Sequence, residues 1–378
     1  MAAPPPPNNA PRSWTIALHG GAGVINADDP AWIEAGLRGL RLALRAGADV
    51  LRAGGGALDA VEAAVVALED DPLFNAGRGS VLTRAGRHEL EASVMVADAP
   101  PSSAGGAAAG AAAPPPAYPD GGDGSGRQRC GAAALLGRVK NPVRLARCVM
   151  ERTAHTFMAG PEAEALAARH LGPEALVEAG GEDAYFGTET RRLQWRRWKA
   201  REAAEAEDEA AAAARGGGAA AAAAFAAAAA RPDDIVHPHA MGTVGAVAVD
   251  GRGALAAATS TGGRVGKLDG RVGDTPVCGA GNWADGRAAV SGTGVGEAFA
   301  RRCAAKDVAA RVRYGGAGLA EAAGAVVFGS LAPGDGGVVA VGSGGEVAMP
   351  FNSPGMWRAC ADSNGRFEVG VFEGMEKG

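Results

Sequence analysis

A threonine stands between two glycines at the head of an apolar run, Met241-Gly242-Thr243-Val244-Gly245-Ala246-Val247-Ala248-Val249-Asp250, and it is the first candidate for chemistry. A threonine hydroxyl is a weak nucleophile at neutral pH, and one way to activate it is the same residue's α-amine acting as general base. That route requires a free amino group at Thr243. The chain would have to cut itself between Gly242 and Thr243, the hydroxyl attacking the preceding carbonyl. Gly242 suits such a step, because a residue without Cβ allows close approach and tolerates backbone conformations that strain other residues. Taken alone, the stretch reads more simply as a buried strand carrying a strand-favouring threonine.

The residues around it change that balance. Downstream come Ala258-Thr259-Ser260-Thr261-Gly262-Gly263, Gly270-Arg271-Val272-Gly273-Asp274-Thr275-Pro276, Gly279-Ala280-Gly281 and Ser291-Gly292-Thr293-Gly294-Val295-Gly296-Glu297; upstream stand His19-Gly20-Gly21-Ala22-Gly23 and Pro72-Leu73-Phe74-Asn75-Ala76-Gly77. This ordered set resembles the plant-type asparaginases, also called isoaspartyl peptidases, of the N-terminal nucleophile hydrolase superfamily. The resemblance covers most of the chain, and six motifs in order are far more specific than any one of them.

The resemblance implies an α+β fold, a four-layer αββα sandwich processed into two subunits. Thr243 would attack a substrate's side-chain amide carbonyl, with its freed α-amine, of intrinsic pKa about 7.7–8, accepting the proton. Thr261 is similar to the threonine that hydrogen-bonds the nucleophile, and Thr259 beside it would help indirectly. The oxyanion would be met by the Thr293 hydroxyl and the Gly294 backbone N–H, each such donor being worth about 2.7–4 kcal/mol of barrier. Arg271 can grip a carboxylate bidentately and Asp274 can pair with an α-ammonium, so together they read an α-amino-acid head group, with a backbone contact from Gly296. Without the motif the two charges would read equally well as a surface ion pair. By the same resemblance, the backbone carbonyls of Leu68, Glu69, Asp71, Phe74, Ala76 and Arg78 would hold a structural sodium ion, and catalysis would need no cofactor. Carbonyl oxygens suit a hard cation, although backbone ligation leaves almost no side-chain signature. Asn75 is matched to a side chain beside the nucleophile; an asparagine that closes a turn is the plainer alternative.

The activity implied is hydrolysis of L-asparagine and of β-aspartyl dipeptides, by two fragments that stay associated and pair as a dimer of αβ units. Three rivals stand beside it. Aspartylglucosaminidases share fold and clamp but are normally secretory. Taspase, a threonine endopeptidase, shares the Gly-Thr-Val-Gly core, against which Asp274 in its Gly-Arg-Val-Gly-Asp setting favours a free amino-acid head group. An uncleaved pseudoenzyme acting as a binding protein is the non-catalytic reading.

Other motifs fail on inspection. The His19–Gly23 glycines are similar to a lipase oxyanion loop, but no G-x-S-x-G elbow occurs in the chain. His19 reads either as a base or, with a base already present at Thr243, as a histidine that orients its loop. Gly292-Thr293-Gly294-Val295-Gly296 lacks the third glycine of a dinucleotide fingerprint and a Walker lysine-threonine pair. His237-Pro238-His239 has neither a third metal ligand nor an H-E-x-x-H pattern.

Composition agrees with a globular, self-contained core. Of 378 residues 47% are apolar, while a net charge of -5 gives no basic footprint for nucleic acid. The cysteines, Cys130, Cys148, Cys278, Cys303 and Cys360, are odd in number and scattered, which reads as reduced thiols. The proline-rich start has neither a basic n-region nor an apolar h-region, and the alanine block 219–230 is short of the roughly 20 apolar residues a membrane helix needs. A cytoplasmic protein is expected, without membrane or nucleic-acid partners.

These residues need elements to position them. Residues 1–12 read as a disordered tail, 13–171 as the first part of one domain, 172–242 as a charged, alanine-rich mobile linker ending at the cut, and 243–378 as the second part. Periodicity predicts helices over 30–52, 57–70, 141–150, 161–170, 295–312 and 319–328, and 191–209 could be helical. Strands are expected over 14–18, ahead of a glycine-rich turn, and over 81–83, 89–97, 131–136, 244–249, 254–258, 288–291, 338–341, 346–349 and 367–372. The proline, alanine, glycine and serine stretch 100–126 cannot bury a core and reads as an insertion. Gly266 stands where relatives often carry asparagine.

Overall fold

The computed structural model describes residues 13–99, 127–214 and 242–377. The expected tail, the insertion 100–126 and the linker residues 215–241 lie outside the described residues.

Two amphipathic helices open the architecture. Helix α1 (Pro30–Arg52) starts at Asp29, whose side chain accepts from the Trp32 N–H, with proline in the first turn where no donor is needed. Its Leu37, Leu40, Leu44, Ala48 and Leu51 recur at three- and four-residue spacing and are buried together with Val61, Ala64, Val65 and Leu68 of α2 (Ala57–Asp70). Both helices lie on one face of a large sheet.

That sheet is made of strands β1 (Thr15–Gly23), β2 (Leu90–Ala97), β3 (Gln128–Leu136), β4 (Phe157–Ala159), β5 (Val244–Val249), β6 (Leu255–Thr261), β11 (Gly355–Asp362), β12 (Phe367–Gly370) and β13 (Glu376–Lys377). Their order is β13-β12-β11-β1-β5-β6-β2-β3-β4, antiparallel throughout except for β3 beside β4. A smaller antiparallel sheet runs β10-β9-β8-β7, from β7 (Asn282–Ala284), β8 (Ala288–Gly294), β9 (Gly336–Gly342) and β10 (Val347–Ala348).

Strand alternation sorts the core into layers. In β5, Val244, Ala246 and Ala248 face α1 and α2, whereas Val247 and Val249 meet Ala289 of β8 and Val339 and Val341 of β9 between the sheets. The outer face of the small sheet, through Val290, Val338 and Ala340, packs on α7 (Gly296–Arg302), α8 (Ala304–Arg313) and α9 (Leu319–Gly324). Helix, sheet, sheet and helix follow in order, as expected. Helices α3 (Pro142–Arg152) and α4 (Gly160–Leu171) cover the β3 edge. Among the described residues no helix is long and apolar enough to cross a membrane.

Several expectations shift. Residues 81–83 form no strand; they are buried loop between the α2 end and β2. The glycine-rich segment after Leu18 is not a turn, because β1 continues to Gly23 through an irregularity between His19 and Gly21. The helix expected over 295–312 is two, broken at Cys303, whose φ of 48° no α-helix accommodates. The helix over 319–328 ends at Gly324 in a π-helical turn. Within the supposed mobile linker, residues 182–214 instead form α5 (Glu182–Phe186) and α6 (Glu189–Ala214), which bury Phe186, Arg191 and Gln194 against the body. The missed signal was anchoring by polar side chains, which an apolar-periodicity criterion does not see.

Candidate active site

Thr243 precedes β5 directly, in the same alternation as Val247 and Val249, so it faces the gap between the two sheets. On the neighbouring strand β6, Thr259 and Thr261 share that face. The register pairs Val244 with Ser260 and Gly245 with Thr259, which brings Thr261 level with Thr243. Thr243 Oγ1 lies 3.1 Å from Thr261 Oγ1, to which the Gly263 N–H donates at 2.9 Å.

The backbone of Thr243 is held separately. His19 of β1, buried and opposite Gly245, places Nδ1 2.9 Å from the Thr243 carbonyl oxygen and Nε2 2.8 Å from Ser291 Oγ, which is itself 2.7 Å from Thr259 Oγ1. A carbonyl only accepts, so Nδ1 carries the proton; Nε2 then accepts from Ser291, and Ser291 from Thr259. Burial takes His19 down to about 3, against the smaller opposing effect of its bond to Thr243. The imidazole is neutral at working pH and lies on the carbonyl, not the hydroxyl. His19 therefore orients the backbone, and Thr259 supports it at one remove. Ser291 was missed by sequence reasoning, although it lies two residues before Thr293 on the same strand face.

On the other side of the Gly242–Thr243 bond, Gly21, at φ 118°, packs its backbone on Gly242 so closely that a side chain there would overlap Gly242 N. Thr293 of β8 is fully buried, and its hydroxyl has no hydrogen-bond partner among the described residues. It lies 3.3 Å from where a Cβ on Gly242 would stand. A buried hydroxyl without a partner is costly unless something is to be bonded there. Gly294 follows at the strand end, facing the loop at Asp335.

Arg271 and Asp274, the two residues expected to read a head group, lie in the loop between β6 and β7. Asp274 is 6% exposed and is pushed up to about 7, mainly by burial and next by the charge of Glu91. Arg271 does not pair with Asp274. Its Nε and Nη2 both donate to Glu297 Oε1, at 3.0 and 2.8 Å, a contact whose two ends both lie in the quoted motifs. A Cβ on Gly296 would stand 2.7 Å from Asp274 Oδ1 and 2.8 Å from Arg271 Nη2, so the bare glycine keeps open a space flanked by opposite charges. Glu91, buried beneath, accepts from the Gly273 N–H at 3.1 Å and is raised by burial despite nearby Lys267 and Arg271.

Asn75 is 4% exposed and does more than close its own turn. Its Oδ1 accepts from the Val81 N–H at 2.9 Å, its Nδ2 donates to the Gly263 carbonyl at 2.7 Å, and its carbonyl accepts from the Gly262 N–H at 3.0 Å. Of the six carbonyls matched to a cation, Glu69 accepts from the Arg78 N–H at 2.8 Å and Asp71 from the Phe74 N–H at 3.2 Å, each keeping a second lone pair. Among the described residues no group of three or more acidic, histidine or cysteine side chains could hold a metal.

The family profile described as Asparaginase matches residues 12–109 and 123–371. The isoaspartyl peptidase of Escherichia coli is 39% identical over 376 residues, spanning 96% of this chain and 97% of its own. That of Salmonella typhimurium is 39% identical over 366 residues, 94% and 98%. The isoaspartyl peptidase/L-asparaginase of Mus musculus is 35% identical over 374 residues, 98% and 94%. The chain belongs to the N-terminal nucleophile hydrolases and, within them, to the asparaginase and isoaspartyl peptidase family.

Proposed function

We propose that this chain is a self-cleaving threonine amidohydrolase that converts L-asparagine to L-aspartate and ammonia and hydrolyses β-aspartyl dipeptides. The observation that carries the reading is the partnerless, buried Thr293 hydroxyl beside Gly242, together with a Thr243 hydroxyl 3.1 Å from Thr261 Oγ1.

In processing, Thr243 Oγ1 attacks the Gly242 carbonyl carbon and the peptide C–N bond breaks, leaving an ester. The broken bond leaves a free α-amine at Thr243, which takes the hydroxyl proton, and water then cleaves the ester to release a carboxylate at Gly242 and restore the Thr243 hydroxyl. In turnover, that amine accepts the hydroxyl proton as Oγ1 attacks the substrate's side-chain carbonyl. Charge developing on oxygen is met by Thr293 Oγ1–H and the Gly294 N–H. The departing ammonia or amino acid takes the proton, and water hydrolyses the aspartyl ester. Asp274 holds the α-ammonium, and Arg271 takes the α-carboxylate by sharing its guanidinium with Glu297. A sodium ion on the carbonyls of Leu68, Glu69, Asp71, Phe74, Ala76 and Arg78 would brace the loop carrying Asn75; carbonyl oxygens with free lone pairs suit it.

The experiment is side-by-side hydrolysis of L-asparagine, a β-aspartyl dipeptide, a glycosylated asparagine and a denatured protein substrate, with mass spectrometry of the purified protein. Expected are fragments 1–242 and 243–378, held together without a disulfide, and turnover of the first two substrates. Preference for glycosylated asparagine would indicate an aspartylglucosaminidase, and cleavage of a protein substrate alone a taspase. An intact chain inactive on all of them would indicate a binding protein. An intact chain that hydrolyses asparagine would refute the free-amine mechanism.

A further inference from the structure

Helices α5 and α6 precede the cut and have no part in the chemistry described so far, yet α6 buries a cation. Arg191 is 2% exposed, one of the largest fully buried side chains in the protein. Its Nε donates to the Gly79 carbonyl at 2.5 Å, its Nη2 to the Leu73 carbonyl at 3.2 Å and its Nη1 to Gln194 Oε1 at 3.1 Å. Desolvation lowers it only to about 10, so it is charged at neutral pH. Withdrawing a charge from water costs several kcal/mol unless fixed dipoles replace the solvent. Here some of those dipoles are the carbonyls at the two ends of the 73–79 loop, which one planar guanidinium bridges.

The same face of α6 holds the chain just beyond that loop, and the residues before α6 hold the loop's end. Trp195 Nε1 donates to the Thr83 carbonyl at 2.8 Å, and just before the helix the Phe186 carbonyl accepts from the Gly79 N–H at 2.7 Å. Residues 191, 194 and 195 are one helical turn apart and point the same way.

Inside the bridged loop sits Asn75. Its bonds to Gly262 and Gly263 fix the two residues that follow Thr261, and the Gly263 N–H bonds Thr261 Oγ1, which meets Thr243 Oγ1. A continuous series of hydrogen bonds and covalent links thus runs from Arg191 to the nucleophile. We propose that Arg191 is a positioning residue of this active site: a tethered, buried guanidinium that fixes the 73–79 loop and, through Asn75, the seat of Thr261 beside Thr243. Leu73 and Gly79 are not among the six carbonyls matched to sodium, so the guanidinium and an ion would hold different carbonyls of one loop. The proposal rests on the function proposed above and extends it to a helix on the other side of the cut.

The test compares wild type, Arg191→Ala and Arg191→Lys as fully cleaved proteins. Kinetics on L-asparagine are read beside amide hydrogen exchange by NMR. Loosening the seat should lower kcat about 10- to 100-fold while KM stays within about threefold. Exchange at Gly262, Gly263 and Val81 should quicken about tenfold, with amides of β8 and β9 unchanged. Millimolar guanidinium should restore part of kcat in Arg191→Ala, a readout that general destabilisation would not produce. Arg191→Lys, which keeps the charge without the planar fork, should fall between; it carries the test by itself if Arg191→Ala does not fold. Unchanged kcat in a folded variant, a rise in KM alone, or exchange quickened evenly throughout the protein overturns the proposal. A wild type inactive on L-asparagine counts against the proposed function instead. Arg191 is then judged on exchange alone, where local quickening supports it and no local change overturns it.

Discussion

Replacing Asp274 by asparagine keeps the size and one acceptor oxygen but removes the charge that an α-ammonium needs. A hydrogen bond to a charged group contributes about 1.5–3 kcal/mol, equivalent to about 13- to 160-fold in kcat/KM. Asp274 is 6% exposed, and the space beside it is bounded by Arg271 at the position a Gly296 Cβ would occupy, so the upper part of that range is expected. The pH profile supplies a second reading. Burial, and then Glu91, push Asp274 up to about 7, and only its ionised form can hold an ammonium. The Thr243 amine must also lose its proton, with an intrinsic pKa of about 7.7–8. On the acid side log(kcat/KM) for wild type should therefore rise with a slope approaching about 2, and for Asp274→Asn with a slope of about 1. Ammonia release from subsaturating L-asparagine across the neutral range measures both. Self-cleavage acts on a tethered backbone carbonyl and needs no clamp, so the variant should still yield residues 1–242 and 243–378. A cleaved Asp274→Asn protein with wild-type kcat/KM, or one that keeps the steep acid limb, would refute the assignment.

Thr293→Val preserves the shape but deletes the proposed oxyanion donor, and should cost about 2.7–4 kcal/mol of barrier, seen as a loss of kcat with little change in thermal midpoint; an unchanged kcat removes Thr293 from the site. Gly296→Ala puts a Cβ 2.7 Å from Asp274 Oδ1 and 2.8 Å from Arg271 Nη2, so KM for L-asparagine should rise while self-cleavage continues. Equal KM values would show that substrate does not enter that space. Glu69 is fully buried and held up to about 8, chiefly by burial, against the bonds from Ser260 and Val143. The folded state then binds more protons than the unfolded one between the ordinary glutamate range and about 8, so this group makes stability fall as pH rises through that window. Glu69→Gln should match wild type in Tm at mildly acidic pH and exceed it as pH approaches about 8; a constant Tm difference across that range would contradict the linkage.

Much of this protein is legible in local pattern. The spacing of Leu37, Leu40, Leu44 and Leu51 specifies α1, and the alternation of Val244 to Val249 specifies β5, because burial on one face demands those periods. Thr243, Thr261, Thr293, Arg271 and Asp274 stand in motifs whose residue types carry their chemistry. Where polar anchoring replaces apolar period, pattern fails. Helix α6 was legible only in part because Arg191 and Trp195 dock through hydrogen bonds to loop carbonyls, with Gln194 accepting from Arg191. The segment after Leu18 read as a turn because glycines usually punctuate, yet here they let β1 run close against Gly242.

The sequence by itself determined which side chains could act as nucleophile, donor and clamp, since those roles follow from functional groups and short-range spacing. Only the tertiary structure decided their partners. Thr243 meets Thr261 through the β5–β6 register, and His19 meets the Thr243 carbonyl through β1–β5 pairing across more than two hundred residues. Arg271 hydrogen-bonds Glu297 and not Asp274 because α7, which carries Glu297, follows β8 directly. Side-chain period is local, whereas strand register and the choice among competing charges depend on which distant surfaces are buried together.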